Sequence, residues 1–217
     1  MRYPCLVMDH DDTVVDSSAT IHYPCFLEFL EQYRPGMHMT LEDYFLKNFD
    51  PGFLEMCRQD FHMTEQELVE EQDYWREYMK GHVPKAVPGI RQVLWRHVER
   101  GGTICVVSHS MCHNIKRDWE QNGLPEPALI FGWDDPVELR KPSPYPLYTI
   151  MDKLGFPPEE LLVVDDLKPG YDMAKAVGVD FAAAGWTNSY APIAAFMRKY
   201  CTYYVPTVEA FGKLLEA

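Results

Sequence analysis

Short apolar runs of strand length recur at residues 3–8, 103–107, 128–131, 161–164 and 180–184, and the later ones alternate with amphipathic stretches at 89–99, 112–121, 145–154 and 170–177. That alternation narrows the fold sharply. Parallel strands must be joined by crossovers, and helices of this length used as crossovers cover both faces of the sheet. The chain is therefore predicted to be α/β, a doubly wound parallel sheet. Two further helical stretches, 191–199 and 205–215, bracket a weak strand at Tyr203 and Tyr204.

One connection is out of proportion. About 90 residues separate Asp9 from Thr103, whereas a crossover needs only about a dozen. The surplus predicts an inserted domain at 17–86, leaving 1–16 and 87–217 as the core. The insert carries helical punctuation: Thr40 with Asp43 and Thr64 with Glu67 resemble capping boxes, and Pro35-Gly36, Asp50-Pro51-Gly52 and Val83-Pro84 mark breaks. Its aromatics, among them Phe26, Phe29, Phe45, Phe53 and Phe61, fall at spacings that fit helix faces. A small helical bundle with an aromatic core is the expectation.

Charge and apolar runs exclude several partners. The formal net charge of -13 speaks against nucleic acid, since phosphate-backbone binding needs a basic patch. No apolar run approaches the roughly 18 residues of a membrane span, and the N-terminus lacks a signal-peptide pattern, so no membrane partner and a cytoplasmic location are expected. Six scattered cysteines, without a CxxC, read as buried free thiols.

Three polar clusters follow the apolar runs, Asp9-His10-Asp11-Asp12-Thr13, Ser108-His109-Ser110 and Asp165-Asp166, and a fourth, Arg140-Lys141-Pro142, stands ahead of the helical stretch at 145–154. In an open α/β sheet the carboxyl ends of neighbouring strands face one crevice, so these clusters should converge there. Two carboxylates about 4 Å apart repel by about 4 kcal/mol at an effective dielectric near 20. Converging Asp9, Asp11, Asp165 and Asp166 would therefore have to protonate in part or bind a cation. An all-oxygen donor set suits magnesium (Mg2+), whereas zinc would want His or Cys at ligand spacing.

In that order and spacing the clusters resemble the four motifs of the haloacid dehalogenase superfamily. Asp9-His10-Asp11-Asp12-Thr13 is similar to its DxDGT, and Ser108 stands where the family has Ser or Thr after an apolar strand. Lys141-Pro142 is similar to its lysine in a KP setting, Asp165-Asp166 with Gly170 to its acidic pair, and the insert lies where many members carry a helical cap. The resemblance implies a Rossmann-like core and a phosphatase that cleaves a small phosphorylated metabolite with magnesium. It further implies Asp9 as nucleophile, Asp11 as acid/base, Ser108, His109 and Lys141 as phosphate-binding, and Asp9, Asp11 (through its carbonyl) and Asp166 as metal ligands. Asp165 would support the metal directly or through water. His10 and His109 are expected to make local hydrogen bonds, with His10 turned away by the strand alternation.

One position departs from the family pattern: Asp12 replaces the usual Gly near the turn. Asp tolerates unusual backbone angles better than most residues, so the turn can survive. Among relatives, dehalogenase chemistry does not need the second acid, Asp11, and a phosphonatase would need a different first motif beside a cap lysine such as Lys47. A sugar phosphomutase shares all four motifs, but the basic loop usual in its cap is absent between Thr40 and Arg58. From another class, a phosphate-binding regulatory module such as a receiver domain has an acidic pair, a central Asp and a lysine, yet is shorter and has no insert. Lys47 and Arg58 are the insert's cations to inspect for substrate contact, against the ordinary expectation of a surface role.

Overall fold

The computed structural model describes residues 1–216. The chain divides into two compact units, one of Met1–Asp16 with the chain from Lys85 onward, the other Ser17–Pro84. In the first unit, six strands form one parallel sheet: β1 (Cys5–Met8), β4 (Thr103–Val107), β5 (Leu129–Phe131), β6 (Leu161–Asp165), β7 (Asp180–Ala184) and β8 (Tyr203–Val205). Their order is β5-β4-β1-β6-β7-β8. The central β1 is an unbroken apolar run because it is covered on both faces; Val7 pairs with Cys105 on one side and Val163 on the other, and every residue of β1 is buried. The edge strand β5 is only half-buried throughout.

Among the described residues, six α-helices belong to this unit: α5 (Ile90–Glu99), α6 (Cys112–Gln121), α7 (Tyr145–Leu154), α8 (Lys168–Val177), α9 (Ala191–Tyr200) and α10 (Val208–Glu216). Ile90, Leu94, Ile115, Trp119 and Phe211 bury their side chains in the same core as Leu6, Met8, Val106 and Val164. The last strand and helix correct the expected boundary. Val205 belongs to β8, and α10 starts only at Val208, because Thr207 caps it by accepting from the Ala210 N–H at 3.1 Å.

A short antiparallel ribbon, β2 (Val15–Asp16) with β3 (Lys85–Ala86), pairs Val15 with Ala86 and Asp16 with Lys85 where the chain leaves and re-enters this unit. The pairing puts Lys85 and Ala86 in the core unit, so the division falls at Pro84 and not at 86.

The Ser17–Pro84 unit holds α1 (Tyr23–Tyr33), α2 (Leu41–Phe49), α3 (Phe53–Asp60) and α4 (Glu65–Lys80). Thr40 caps α2 by accepting from the Asp43 N–H, and at α4 the reciprocal box is complete, with the Glu67 carboxylate accepting from the Thr64 N–H at 2.8 Å. Phe26 lies edge-on to Phe53 and Phe61 at 5.3 Å, at the centre of a cluster with Phe29, Leu30, Tyr44, Met56 and Leu68. Among the described residues no helix is long and apolar enough to cross a membrane.

One acid is buried in this bundle. Burial pushes Glu71 up to about 7, partly opposed by His22, and the buried thiols of Cys25 and Cys57 feel its charge. The folded chain thus holds a proton on Glu71 that the unfolded chain releases near pH 4.5. Its contribution to stability is complete below that pH and is lost as pH rises through about 7. Glu71→Gln should accordingly stabilise the protein at pH 8, by up to about 3 kcal/mol, and change little at pH 4.5. Denaturant unfolding at the two pH values checks this; an equal change at both would contradict it.

Candidate active site

Because the six strands are parallel, their carboxyl ends share one edge, and β1 lies where the sheet is wound outward in both directions, through β4 on one side and β6 on the other. Asp9 follows β1 directly, its N–H donating to the Val164 carbonyl at 2.8 Å. The chain then turns tightly: the His10 carbonyl accepts from the N–H groups of Val14 and Val15, and the Asp12 N–H donates to Val15 O at 2.7 Å. At this turn Asp12 has φ of 57°, in the left-handed region that favours glycine. The Asp tolerated there keeps the turn and buries a further carboxylate beside the site.

Lys141 is 4% exposed, and its Nζ donates to Asp9 Oδ1 at 2.7 Å and to Asp165 Oδ2 at 2.6 Å. It therefore joins the ends of β1 and β6. The other oxygen of Asp165 accepts from the Leu167 N–H at 2.8 Å, which fixes the carboxylate at the start of α8. Gly170 permits this approach, since a Cβ there would lie 2.1 Å from Asp165 Oδ2. Asp166 is held by two donors, Thr13 Oγ1 at 3.3 Å and Asn188 Nδ2 at 3.1 Å. Oxygens of Asp9, Asp165 and Asp166 all come within 4.8 Å of one another.

Electrostatics make this a site with unmet negative charge. Burial pushes Asp9 up to about 7; Lys141 opposes that, and Asp165 and Asp11 add to it. Burial drives Asp166 well above the usual carboxylate range, reinforced by Asp12, Asp165 and Asp9. Burial also works against the charge of Lys141, but Asp165 and Asp9 more than offset it, so its ammonium is held above the ordinary lysine value. One ammonium cannot balance this many carboxylates. The all-oxygen cluster fits a hard divalent cation such as magnesium, whose charge would remove the repulsion.

The other expected residues occupy the same strand edge. Asp11 is half-buried, and its Oδ2 accepts from Ser110 Oγ at 2.6 Å. Ser108, buried after β4, accepts from the Ser110 N–H at 3.1 Å through its Oγ. The His109 ring donates from Nε2 to the Lys141 carbonyl at 2.9 Å and lies edge-on to Trp133. Burial and the Lys141 charge lower His109 to about 4, so the ring is neutral near pH 7. His10 points the other way, into α6: its Nδ1 accepts from Trp119 Nε1, which leaves Nε2–H to donate to Asp118 Oδ2, both at 3.2 Å.

Within the insert, Lys47 pairs with Asp60 at 3.0 Å, and Arg58 with Glu65 at 2.9 Å and Glu55 at 3.0 Å, so both cations are engaged in partly exposed ion pairs. Ser110 and Asn188, which engage Asp11 and Asp166, carried no sequence-based assignment. Ser110 was visible within the second cluster. Asn188 belongs to no motif, and its only signal was a place just beyond the carboxyl end of the fifth apolar run.

The family model for haloacid dehalogenase-like hydrolases matches residues 6–184. A phosphoglycolate phosphatase from Rhodospirillum rubrum is 29% identical over 108 residues, covering 50% of this chain and 45% of the relative, so the chain spans less than half of that protein's length. Among solved structures, a haloacid dehalogenase-like family hydrolase from Streptococcus pneumoniae superposes with a TM-score of 0.79 at 15% identity, covering 99% of each chain. CbbY from Rhodobacter sphaeroides, in complex with xylulose-(1,5)bisphosphate, gives 0.71 at 17% identity over 95% of each chain. At these identities the structural likeness establishes the fold.

Proposed function

The chain belongs to the haloacid dehalogenase-like hydrolase family, and from that membership and the geometry at the strand edge we propose a magnesium-dependent phosphohydrolase that cleaves a small phosphomonoester through an aspartyl-phosphate. The observation that carries the proposal is the bridge from Lys141 Nζ to Asp9 Oδ1 and Asp165 Oδ2, set against three buried carboxylates within 4.8 Å. A lysine held this way gives Asp9 a fixed orientation and meets charge on a transferring phosphoryl group.

In this reading an Asp9 oxygen attacks phosphorus while the bond to the leaving oxygen breaks, and Asp11 delivers its proton to that oxygen. Asp11 then takes a proton from water, which attacks the aspartyl-phosphate and releases phosphate with the Asp9 carboxylate restored. The hydrogen bond from Ser110 Oγ keeps the Asp11 carboxyl in place for both proton transfers. Ser108 Oγ and the backbone N–H of His109 are the donors assigned to phosphate oxygens; the neutral His109 ring is occupied with the Lys141 carbonyl. Asp9, Asp166 and the Asp11 carbonyl would hold the cation, with Asp165 in support. When bound, the cation supplies positive charge that keeps Asp9 ionised and neutralises the phosphate. The Ser17–Pro84 insert is assigned the part of the family's helical cap.

The test is turnover by the purified full chain of p-nitrophenyl phosphate and a panel of phosphorylated metabolites, with 2-phosphoglycolate first because a curated relative carries that activity in its name. Phosphate release that needs Mg2+ and stops in EDTA is expected. No release from any panel member at saturating Mg2+ would overturn the reading.

A further inference from the structure

The loop after β7 reaches the acidic cluster through Asn188, a residue outside all four motifs. Asn188 is 3% exposed, and its Nδ2 donates to Asp166 Oδ2 at 3.1 Å, the orientation required by an ionised Asp166 ready to ligate a cation, since a carboxylate only accepts. That choice leaves Oδ1 as a buried acceptor with no hydrogen-bond donor among the described residues. Buried amide oxygens are nearly always satisfied, and one left open beside a carboxylate cluster points to a donor from outside the chain. Anchoring the loop does not require this arrangement. Trp186, two residues earlier, already fastens it, with Nε1 donating to the Thr13 carbonyl at 3.0 Å.

We propose that Asn188 is an outer ligand of the divalent-cation site, its Nδ2 orienting Asp166 toward the cation and its Oδ1 accepting from the cation's hydration shell. The inference rests on the cation reading above and extends it to a residue outside the four motifs. Magnesium keeps several waters when bound by few carboxylates, and those waters are donors, the partner that Oδ1 lacks. A residue that orients a ligating carboxylate in this way commonly tunes metal affinity by about 10–100-fold. Thr13 shares the task, since its hydroxyl holds the other oxygen of Asp166.

The experiment measures Mn2+ binding to the full-length protein by electron paramagnetic resonance, together with the Mg2+ dependence of the melting temperature. Asn188→Ala should weaken Mn2+ binding by about 10–100-fold and raise the Mg2+ concentration needed for thermal stabilisation. Its melting temperature in EDTA should stay near that of the parent. Asn188→Leu, closer in volume, gives the same readout if the alanine variant folds poorly. Trp186→Phe removes the hydrogen bond that fastens the same loop and should leave Mn2+ affinity unchanged; an equal loss there would reduce Asn188 to loop structure and overturn the proposal. Asp166→Asn separates the two layers of inference. If it abolishes Mn2+ binding while Asn188→Ala binds as the parent does, the Asn188 proposal fails alone; if Asp166→Asn binds Mn2+ normally, the cation reading fails with it.

Discussion

Asp9→Asn should lower turnover by about 10^4-fold or more, because amide nitrogen and oxygen cannot replace a carboxylate that must form and then release a bond to phosphorus. The fold should survive the change. Lys141 keeps its hydrogen bond to Asp165 at 2.6 Å, and the amide oxygen of the variant can still accept at the Asp9 position. The stability change has a defined sign. Asp9 is pushed up to about 7 in the folded chain, chiefly by burial, against an ordinary value of 3.8. Its favourable contribution is complete below pH 3.8 and is lost as pH rises through about 7. In EDTA at pH 8 the variant should therefore unfold at an equal or higher temperature than the parent. With Mg2+ the order reverses, because the variant has lost a carboxylate that the cation would use. Steady-state phosphate release and thermal melts with and without metal test all three statements. Near-parental turnover by Asp9→Asn would remove the nucleophile assignment, whatever the melts show.

The sheet was legible in the sequence because its central strands are buried on both faces, which forces unbroken apolar runs such as Cys5–Met8 and Leu161–Asp165. Legibility falls toward the edge. Val205, Val208 and Phe211 continue a helical period, so a helix from 205 is the natural reading. The period is interrupted by Pro206 and by Thr207, whose hydroxyl caps the helix that starts one residue later. Asp12 shows the opposite case, in which a residue that breaks the expected pattern keeps its local geometry. Its φ of 57° is the conformation for which glycine is favoured, and Asp is among the few residues that visit it. The aspartates of the site could be read from their place at strand ends, since converging carboxylates have few chemical uses. Ser110 and Asn188 could not be assigned that way. Each acts through one hydrogen bond to a distant residue, Asp11 and Asp166 respectively, and no periodicity records such a contact.

Lys141 is the position where stability and activity should fail together. It is the ammonium that faces Asp9 and Asp165, and both ion pairs are buried, with side-chain exposure of 1% for Lys141, 4% for Asp9 and 2% for Asp165. Removing one partner from a buried pair leaves uncompensated charge behind and typically costs about 3–5 kcal/mol. Lys141→Met, which keeps the length of the side chain and deletes the charge, should lose about that much in EDTA near neutral pH. Saturating Mg2+ should return part of it, since a ligand at about 100 times its Kd stabilises by about 2.7 kcal/mol. Turnover should not return with it. The cation can neutralise the carboxylates but does not stand where Nζ meets the transferring group, so a deficit of about 10^2-fold or more is expected at saturating metal. Pairing the change with Asp165→Asn separates charge balance from catalysis. The double variant should be more stable than Lys141→Met alone, because a repelling carboxylate is gone, yet no more active. A Lys141→Met protein as stable in EDTA as the parent would show that the two ion pairs do not balance the cluster.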